Sequence, residues 1–192
     1  MDLALLDTFP GFAKRHPFQS LGVDVVVHHV SEITRPEHVS IGDHCSIDFG
    51  FYCTTRLRVG SWVHIGPHVT IIGGLAGDVE IGDFVTLAAK TSINAISDSL
   101  KGDGLVGPII PEEFQDRRRE GKVTFQRFSF VGCNSVIMPG VKMAEGSVLG
   151  AQSFLATNTE PWTIYAGCPA KPIKKRRHDI LPAFAQRMGY GG

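Results

Sequence analysis

The stretch Val59-Gly60-Ser61-Trp62-Val63-His64-Ile65-Gly66-Pro67-His68-Val69-Thr70-Ile71 carries an aliphatic residue at every sixth place, twice followed by glycine. The spacing continues in both directions. Upstream lie Cys53, Ile47 and Ile41-Gly42, with Leu21-Gly22, Val27 and Ile33 as weaker members. Downstream, after four extra residues, come Ile81-Gly82, Leu87-Ala88 and Ile93. Past a longer interruption the count resumes at Phe125, Val131-Gly132, Ile137, Met143-Ala144, Leu149-Gly150 and Leu155-Ala156. A fixed period of this kind marks an internal repeat and outranks any local propensity.

A second regularity accompanies the first. Four residues after each aliphatic position stands a small or β-branched residue, such as Cys45, Val63, Val69, Val85, Thr91, Ser129, Ser135, Val141, Ser147 and Ser153, with Phe51 and Leu57 as larger exceptions. A helix would need apolar residues at spacings of three and four, and the pattern never drifts that way. A short strand points both members of such a pair inward and the residue between them outward. Turn residues fill the gaps, as in Gly60-Ser61, Gly66-Pro67 and Gly82-Asp83.

One strand and one corner bury nothing alone, but three such units close a triangular coil of eighteen residues. The positions then group as 21/27/33, 41/47/53, 59/65/71, 81/87/93, 125/131/137 and 143/149/155, with every interruption falling between coils. The spacing predicts an all-β parallel β-helix of about six coils, with one long protruding loop and a short C-terminal helix.

Composition bounds the function. With 192 residues the chain is long enough for one domain with a real core. Nineteen basic and nineteen acidic residues cancel, which removes any global attraction to nucleic acid. No apolar run reaches the length of a membrane span and no signal-peptide pattern opens the chain, so a cytoplasmic protein that does not engage a membrane is expected. The four cysteines form no Cys-x-x-Cys pair; Cys45 and Cys53 fall at inward positions and read as buried thiols.

Taken in order, residues 1–20 read as a cap on the first coil, 21–160 as the β-helix with its loop at 99–122, and 161–192 as a basic tail with a short helix near Asp179 to Met188. The outward residues fall into three columns. The first holds Val26, Ser46, His64, Thr86, Phe130 and Val148; the second holds Glu32, Tyr52, Thr70, Ser92, Val136 and Phe154. The third is expected to hold His38, Arg58, Ala76, Asp98, Lys142 and Glu160. Two columns are apolar for a solvated surface, which argues for subunit contacts and, with cyclic closure, a homotrimer. The loop, with its apolar Leu105 to Ile110, is long for so regular a scaffold and reads as functional.

The repeated [LIV]-[GA]-x-x-[STAV]-x pattern resembles that of the hexapeptide-repeat acyltransferases, whose coils are left-handed. General handedness rules favour the opposite hand, so the left hand rests on the resemblance. The segment Ala166-Gly167-Cys168-Pro169-Ala170-Lys171-Pro172-Ile173-Lys174 is similar to the motif closing many coenzyme A-dependent members. That similarity implies coenzyme A (acetyl-CoA as donor) at Lys171, Lys174, Lys175 and Arg176, with Gly150 and Ala151 beside the pantetheine arm. The physical case runs parallel: these cations, with Arg177, concentrate positive charge suited to phosphates in an otherwise neutral chain.

A closer resemblance, over about Gly42 to Met188, is to the branch of N-acyltransferases acting on nucleotide-linked 4-amino-4,6-dideoxy sugars. It is carried by Gly60-Ser61-x-x-His64-Ile65, Gly107-Pro108-x-Ile110-Pro111, Trp162-x-Ile164-Tyr165-Ala166-Gly167 and Asp98. Many sugar O-acetyltransferases place a histidine where this chain has Asp98; in the N-acyl branch an acidic residue there contacts the sugar amine. Ala88-Ala89 departs from the adjacent serines that relatives often carry. The resemblance implies acyl transfer, expected to be acetyl, to an amino sugar in bacterial surface polysaccharide synthesis. The other enzymatic reading is O-acetylation with His64 as base. A zinc hydratase would need three ligands, and His64-x-x-x-His68 offers two without the expected spacing. A non-catalytic scaffold would leave the long loop and basic tail without a purpose.

Overall fold

The computed structural model describes residues 17–190, and they coil as the repeat requires. Three parallel sheets form the faces of the triangle. The first face stacks Val26–Val27, Ser46–Ile47, His64–Ile65, Thr86–Leu87, Phe130–Val131 and Val148–Leu149. The second stacks Glu32–Ile33, Tyr52–Cys53, Thr70–Ile72, Ser92–Asn94, Val136–Ile137 and Phe154–Leu155. The third stacks Ser20–Leu21, Val39–Ile41, Arg56–Val59, Asp78–Ile81, Val123–Phe125 and Lys142–Met143. Register follows the expected grouping without a slip: Val27 pairs with Ile47, Ile47 with Ile65, Ile65 with Leu87, and Leu87 with Val131. A seventh level exists on the first face alone, where Thr163–Gly167 stacks Tyr165 on Leu149.

The core is one narrow column. Ile47, Ile65, Ile71, Ile81, Leu87, Ile93, Phe125, Ile137, Leu149 and Leu155 are essentially inaccessible, and so are their small partners Val69, Val85, Thr91, Ser135 and Ser147. The hydroxyls among them are satisfied within the coil: Thr91 Oγ1 donates to Ala88 O at 2.7 Å and Ser135 Oγ to Gly150 O at 3.0 Å. Cys45 and Cys53 are buried free thiols, and burial pushes the Cys53 thiol up to about 11.

Two of the three corners repeat strictly. Between the third and first faces the chain turns through Asp24, His44, Trp62, Phe84, Phe128 and Trp162, all with positive φ. Each amide from His44 onward donates one coil back, as in Trp62 N to Asp43 O, Phe84 N to Ser61 O and Phe128 N to Asp83 O. Those bonds offset the left-handed backbone that side chains otherwise avoid. The rings stack into a ladder: His44 on Trp62, Trp62 parallel to Phe84 at 6.5 Å, Phe84 on Phe128 at 5.3 Å, and Phe128 tilted against Trp162. Gly146 takes the step between Phe128 and Trp162, and a Cβ there would collide with the indole. The corner between the first and second faces runs likewise through His68, Lys90, Asn134 and Gln152.

The expected third column needs correction. The outward residues of that face are Ser40, Arg58, Glu80, Thr124 and Lys142, not His38, Ala76, Asp98 or Glu160. Residues inserted after the second face displace the count before the third face begins. The face is charged as expected: Arg58 pairs with Asp78 at 3.0 Å and approaches Glu80, which Lys122 also holds.

The loop begins as a hairpin. Ile96–Asp98 pairs antiparallel with Arg118–Glu120, and Gln115 lies across from Leu105 further out. Buried Asp116 ties the loop by accepting from the amides of Lys101, Gly102 and Arg117. After the last coil, Ala170–Lys175 returns antiparallel to Thr163–Gly167, and Leu181–Arg187 is helical with proline in its first turn. The chain then reaches back: Tyr190 lies edge-on to Trp62 and Phe84, and Arg127 Nη2 donates to Tyr190 O at 2.8 Å. The expected cap at 1–20 falls largely outside the described residues; Ser20–Leu21 already belongs to the coil.

Candidate active site

The inserted residues of the third corner, between the second and third faces, build a cleft of about 580 Å³. Arg35 comes from the exit of the first coil, Gly73 to Ala76 from the break after the third, and Ile96 to Asp98, Pro108 and Arg118 from the hairpin and loop after the fourth. Asp98 is half-buried at the end of its strand, directly opposite Arg118, so their side chains project from the same side of the hairpin. Thr54 organises the opposing wall. Its carbonyl accepts from Arg35 Nη1 at 2.7 Å, and its hydroxyl accepts from the amides of Gly73 and Gly74 at 3.3 and 3.4 Å. Arg118 Nη2 donates to Gln115 Oε1 at 2.6 Å. Neither guanidinium forms an ion pair among the described residues.

Asp98 therefore lines the cleft, on the edge of a long loop. A carboxylate there can accept a hydrogen bond from an amine and hold it in line with an electrophile.

His64 lies elsewhere, on the first face and outside this cleft. Its Nε2 is 2.8 Å from Asp48 Oδ2, and Ser46 Oγ donates to the other carboxylate oxygen at 3.2 Å. With Nε2–H donating to the carboxylate, Nδ1 is the basic nitrogen. Sequence reasoning singled out His64 and missed Asp48. The signal was there: Ser46 and His64 are one coil apart, so Asp48, two places on, lies along the same face.

The expected cofactor residues divide into two groups. Lys171 pairs with Ala166 and Lys174 with Ile164, which places both ammonium groups on the outer side of the first face, beyond Val148. Both are exposed and neither is in an ion pair among the described residues. Lys175 instead bonds Glu160 Oε2 and Thr163 Oγ1, each at 2.8 Å, and this partner holds the Glu160 carboxyl below its ordinary range. Arg176 is half-buried, donates to Phe128 O at 2.8 Å and Gly146 O at 3.0 Å, and lies over Trp162; burial lowers its pKa. It clamps the aromatic corner. Gly150 is likewise engaged, its amide on Tyr165 O at 2.8 Å and its carbonyl under Ser135. Ala151 is exposed beside it, and Gly132 lets its backbone approach where a Cβ would collide. No group of three or more His, Cys, Asp or Glu side chains is placed to hold a metal ion among the described residues.

No family model matches the sequence. A dTDP-4-amino-4,6-dideoxy-D-glucose acyltransferase from Escherichia coli is 28% identical over 173 residues, covering 88% of each chain. AntD, an N-acyltransferase from Bacillus cereus, has been solved as a single-residue variant in complex with dTDP-4-amino-4,6-dideoxyglucose and coenzyme A. It is 30% identical and superposes with a TM-score of 0.87 over 92% of this chain and 93% of that one. A galactoside acetyltransferase in complex with coenzyme A, 19% identical with a TM-score of 0.53 over 83% of this chain and 66% of that one, shares the fold alone. Near-complete coverage in both directions, on a coil stack of the same build, makes the assignment: the chain belongs to the hexapeptide-repeat acyltransferases of the left-handed β-helix fold, in the branch of sugar N-acyltransferases that includes AntD.

Proposed function

We propose that this enzyme moves an acyl group from an acyl-CoA thioester to the amino group of a nucleotide-linked amino sugar, with Asp98 receiving the amine. The observation that carries the reading is the placement of Asp98, half-buried in the cleft that the loop and the broken third corner build together. The neutral amine is itself a good nucleophile, so a carboxylate that orients it and takes up part of its proton is sufficient. The nitrogen–carbon bond forms, the carbon–sulfur bond breaks, and the proton lost by nitrogen ends on the departing thiolate.

Coenzyme A is the acyl donor in this scheme. Lys171 and Lys174, both outside any ion pair among the described residues, hold its phosphates, and the exposed Ala151 borders the pantetheine arm. Lys175, Arg176 and Gly150 serve by shaping the last coils, since their polar groups are already engaged. The 161–192 tail is thus the donor end of the molecule and the 99–122 loop the acceptor end. We assign the apolar outer residues of the first two faces, among them Val26, Phe130, Val148, Val136 and Phe154, to the contacts of a homotrimer. No helix among the described residues is long and apolar enough to cross a membrane. Activated sugars and acyl-CoA place the reaction in the cytoplasm, as a step toward surface polysaccharide.

The hydrogen bond that His64 donates to Asp48 supports a second reading, in which the imidazole is the base for a sugar hydroxyl. Thiol release from acetyl-CoA separates the two. Release with dTDP-4-amino-4,6-dideoxyglucose and none with methyl hexosides supports N-acylation at Asp98. Release with hexosides alone overturns it in favour of His64. On the donor side, Lys171→Gln with Lys174→Gln is expected to raise the KM for acetyl-CoA by about tenfold, the scale of one or two charged contacts. An unchanged KM removes both lysines from the donor site.

A further inference from the structure

We infer that Arg35 and Arg118 grip the diphosphate of the acceptor and so select nucleotide-linked amino sugars over free ones. The inference rests on the proposed acceptor class and adds the residues that recognise it.

A nucleotide-linked amino sugar carries two negative charges on its diphosphate and one positive charge on its ammonium. The cleft carries the mirror image, two guanidiniums and one carboxylate, contributed by Arg35, Arg118 and Asp98. Among the described residues neither arginine is neutralised by an acid, so Asp98 and both guanidiniums remain available to a ligand. Each guanidinium is nonetheless oriented, one by the Thr54 carbonyl and the other by the Gln115 amide oxygen. Such an arrangement retains several N–H donors for a phosphate while reducing the freedom lost on binding.

Position supports charge. Arg118 stands directly across the hairpin from Asp98, and the two therefore address one ligand at neighbouring points. Arg35 faces them from a coil exit, sharing its Thr54 anchor with the Gly73–Gly74 wall. Gly74 leaves open space where a side chain would stand. A diphosphate between the arginines leaves Asp98 to the sugar end of the same molecule. Lysine would serve less well, because the planar fork meets two phosphate oxygens at once.

The test compares wild type with Arg35→Gln, Arg118→Gln and the corresponding Lys variants, using dTDP-4-amino-4,6-dideoxyglucose and its methyl glycoside as acceptors. Each Gln variant is expected to raise the KM for the dTDP-linked acceptor by roughly 10- to 100-fold, the range of one charge-assisted contact, with kcat little changed. The ratio of kcat/KM for the dTDP-linked acceptor to that for the methyl glycoside should fall in the Gln variants, and the Lys variants should recover part of the loss. Calorimetry with dTDP alone should show binding to wild type that the Gln variants lose. An unchanged KM for the dTDP-linked acceptor, or a rise in the KM for acetyl-CoA instead, overturns the assignment. Failure of wild type to bind dTDP overturns it too. If dTDP binds through both arginines while neither amine is acylated, it is the proposed reaction that fails and the diphosphate site that stands.

Discussion

The three corners of the triangle are made of the same kind of chain, yet one of them, unlike the other two, is interrupted by inserted residues that build a cleft. At the corner carrying Trp62 and Phe84, and at the one carrying His68 and Lys90, every coil turns in the same number of residues. From Trp62 and His68 onward each left-handed residue passes its amide to the coil before, so nothing can be added there without breaking a ladder of hydrogen bonds. The third corner has no such ladder in its first four coils. Between Ile33 and Ile41, Ile71 and Ile81, and Ile93 and Phe125, extra residues leave the stack, and these supply Arg35, the Gly73–Ala76 wall and the Asp98–Arg118 hairpin. Rigidity on two edges releases the third to vary. The cleft is the sum of three separate departures from one repeat.

This contrast sets the expected effects. Asp98→Asn keeps the shape of the variable corner and removes its charge, so kcat with the amino sugar should fall on the order of 10²- to 10³-fold. The thermal midpoint should stay at the wild-type value. An unchanged kcat would remove Asp98 from the reaction. Ile65→Ala does the opposite, opening a void in the fully buried stack, and should cost about 2–5 kcal/mol in chemical unfolding. The KM of the surviving folded protein should not move, and a large shift would mean that the regular coils and the cleft are coupled.

The smallest effect is electrostatic and lies on the third face. The bond from Lys122, aided by Arg58, holds the Glu80 carboxyl below its usual range. The folded chain thus favours the charged form. The resulting stabilisation is complete above the unfolded pKa and is lost as pH falls through the lower folded value. Both partners are substantially exposed, so Glu80→Gln should cost less than about 1 kcal/mol at pH 7 and less at an acid pH where the carboxyl is protonated in the folded chain as well. Denaturant titrations of the variant at the two pH values measure the difference, and an equal cost at both would show that the pair is not titrating.

The two regular corners were legible in full. A six-residue period with a small inward partner specifies which residue lies above which, and Ile65 on Ile47 or Ile93 on Ile71 follow from counting alone. Counting failed at the third corner because an insertion carries no period. Ala76 and Asp98 were assigned to a face the chain has not yet reached, and Asp98 proved to be the end of a hairpin whose other strand, Arg118–Glu120, is short, polar and exposed. Arg35 gave no signal beyond its location in a break. The basic tail looked uniform as sequence, but strand pairing separates Lys171 and Lys174 on the outer surface from Lys175 and Arg176, which partner the coil. Burial and pairing, which composition does not record, made that division.

The reach of Tyr190 back to Trp62 and Phe84 has a consequence for how the molecule is made. A solenoid can in principle form coil by coil as the chain emerges, each new turn laid on the one before. Here the ring that closes against the middle of the aromatic ladder lies more than a hundred residues downstream of the rings it meets. The early coils must stand without the Tyr190 ring against Trp62 and Phe84 until all the later coils have been made, and only then is the edge along which the stack was built sealed.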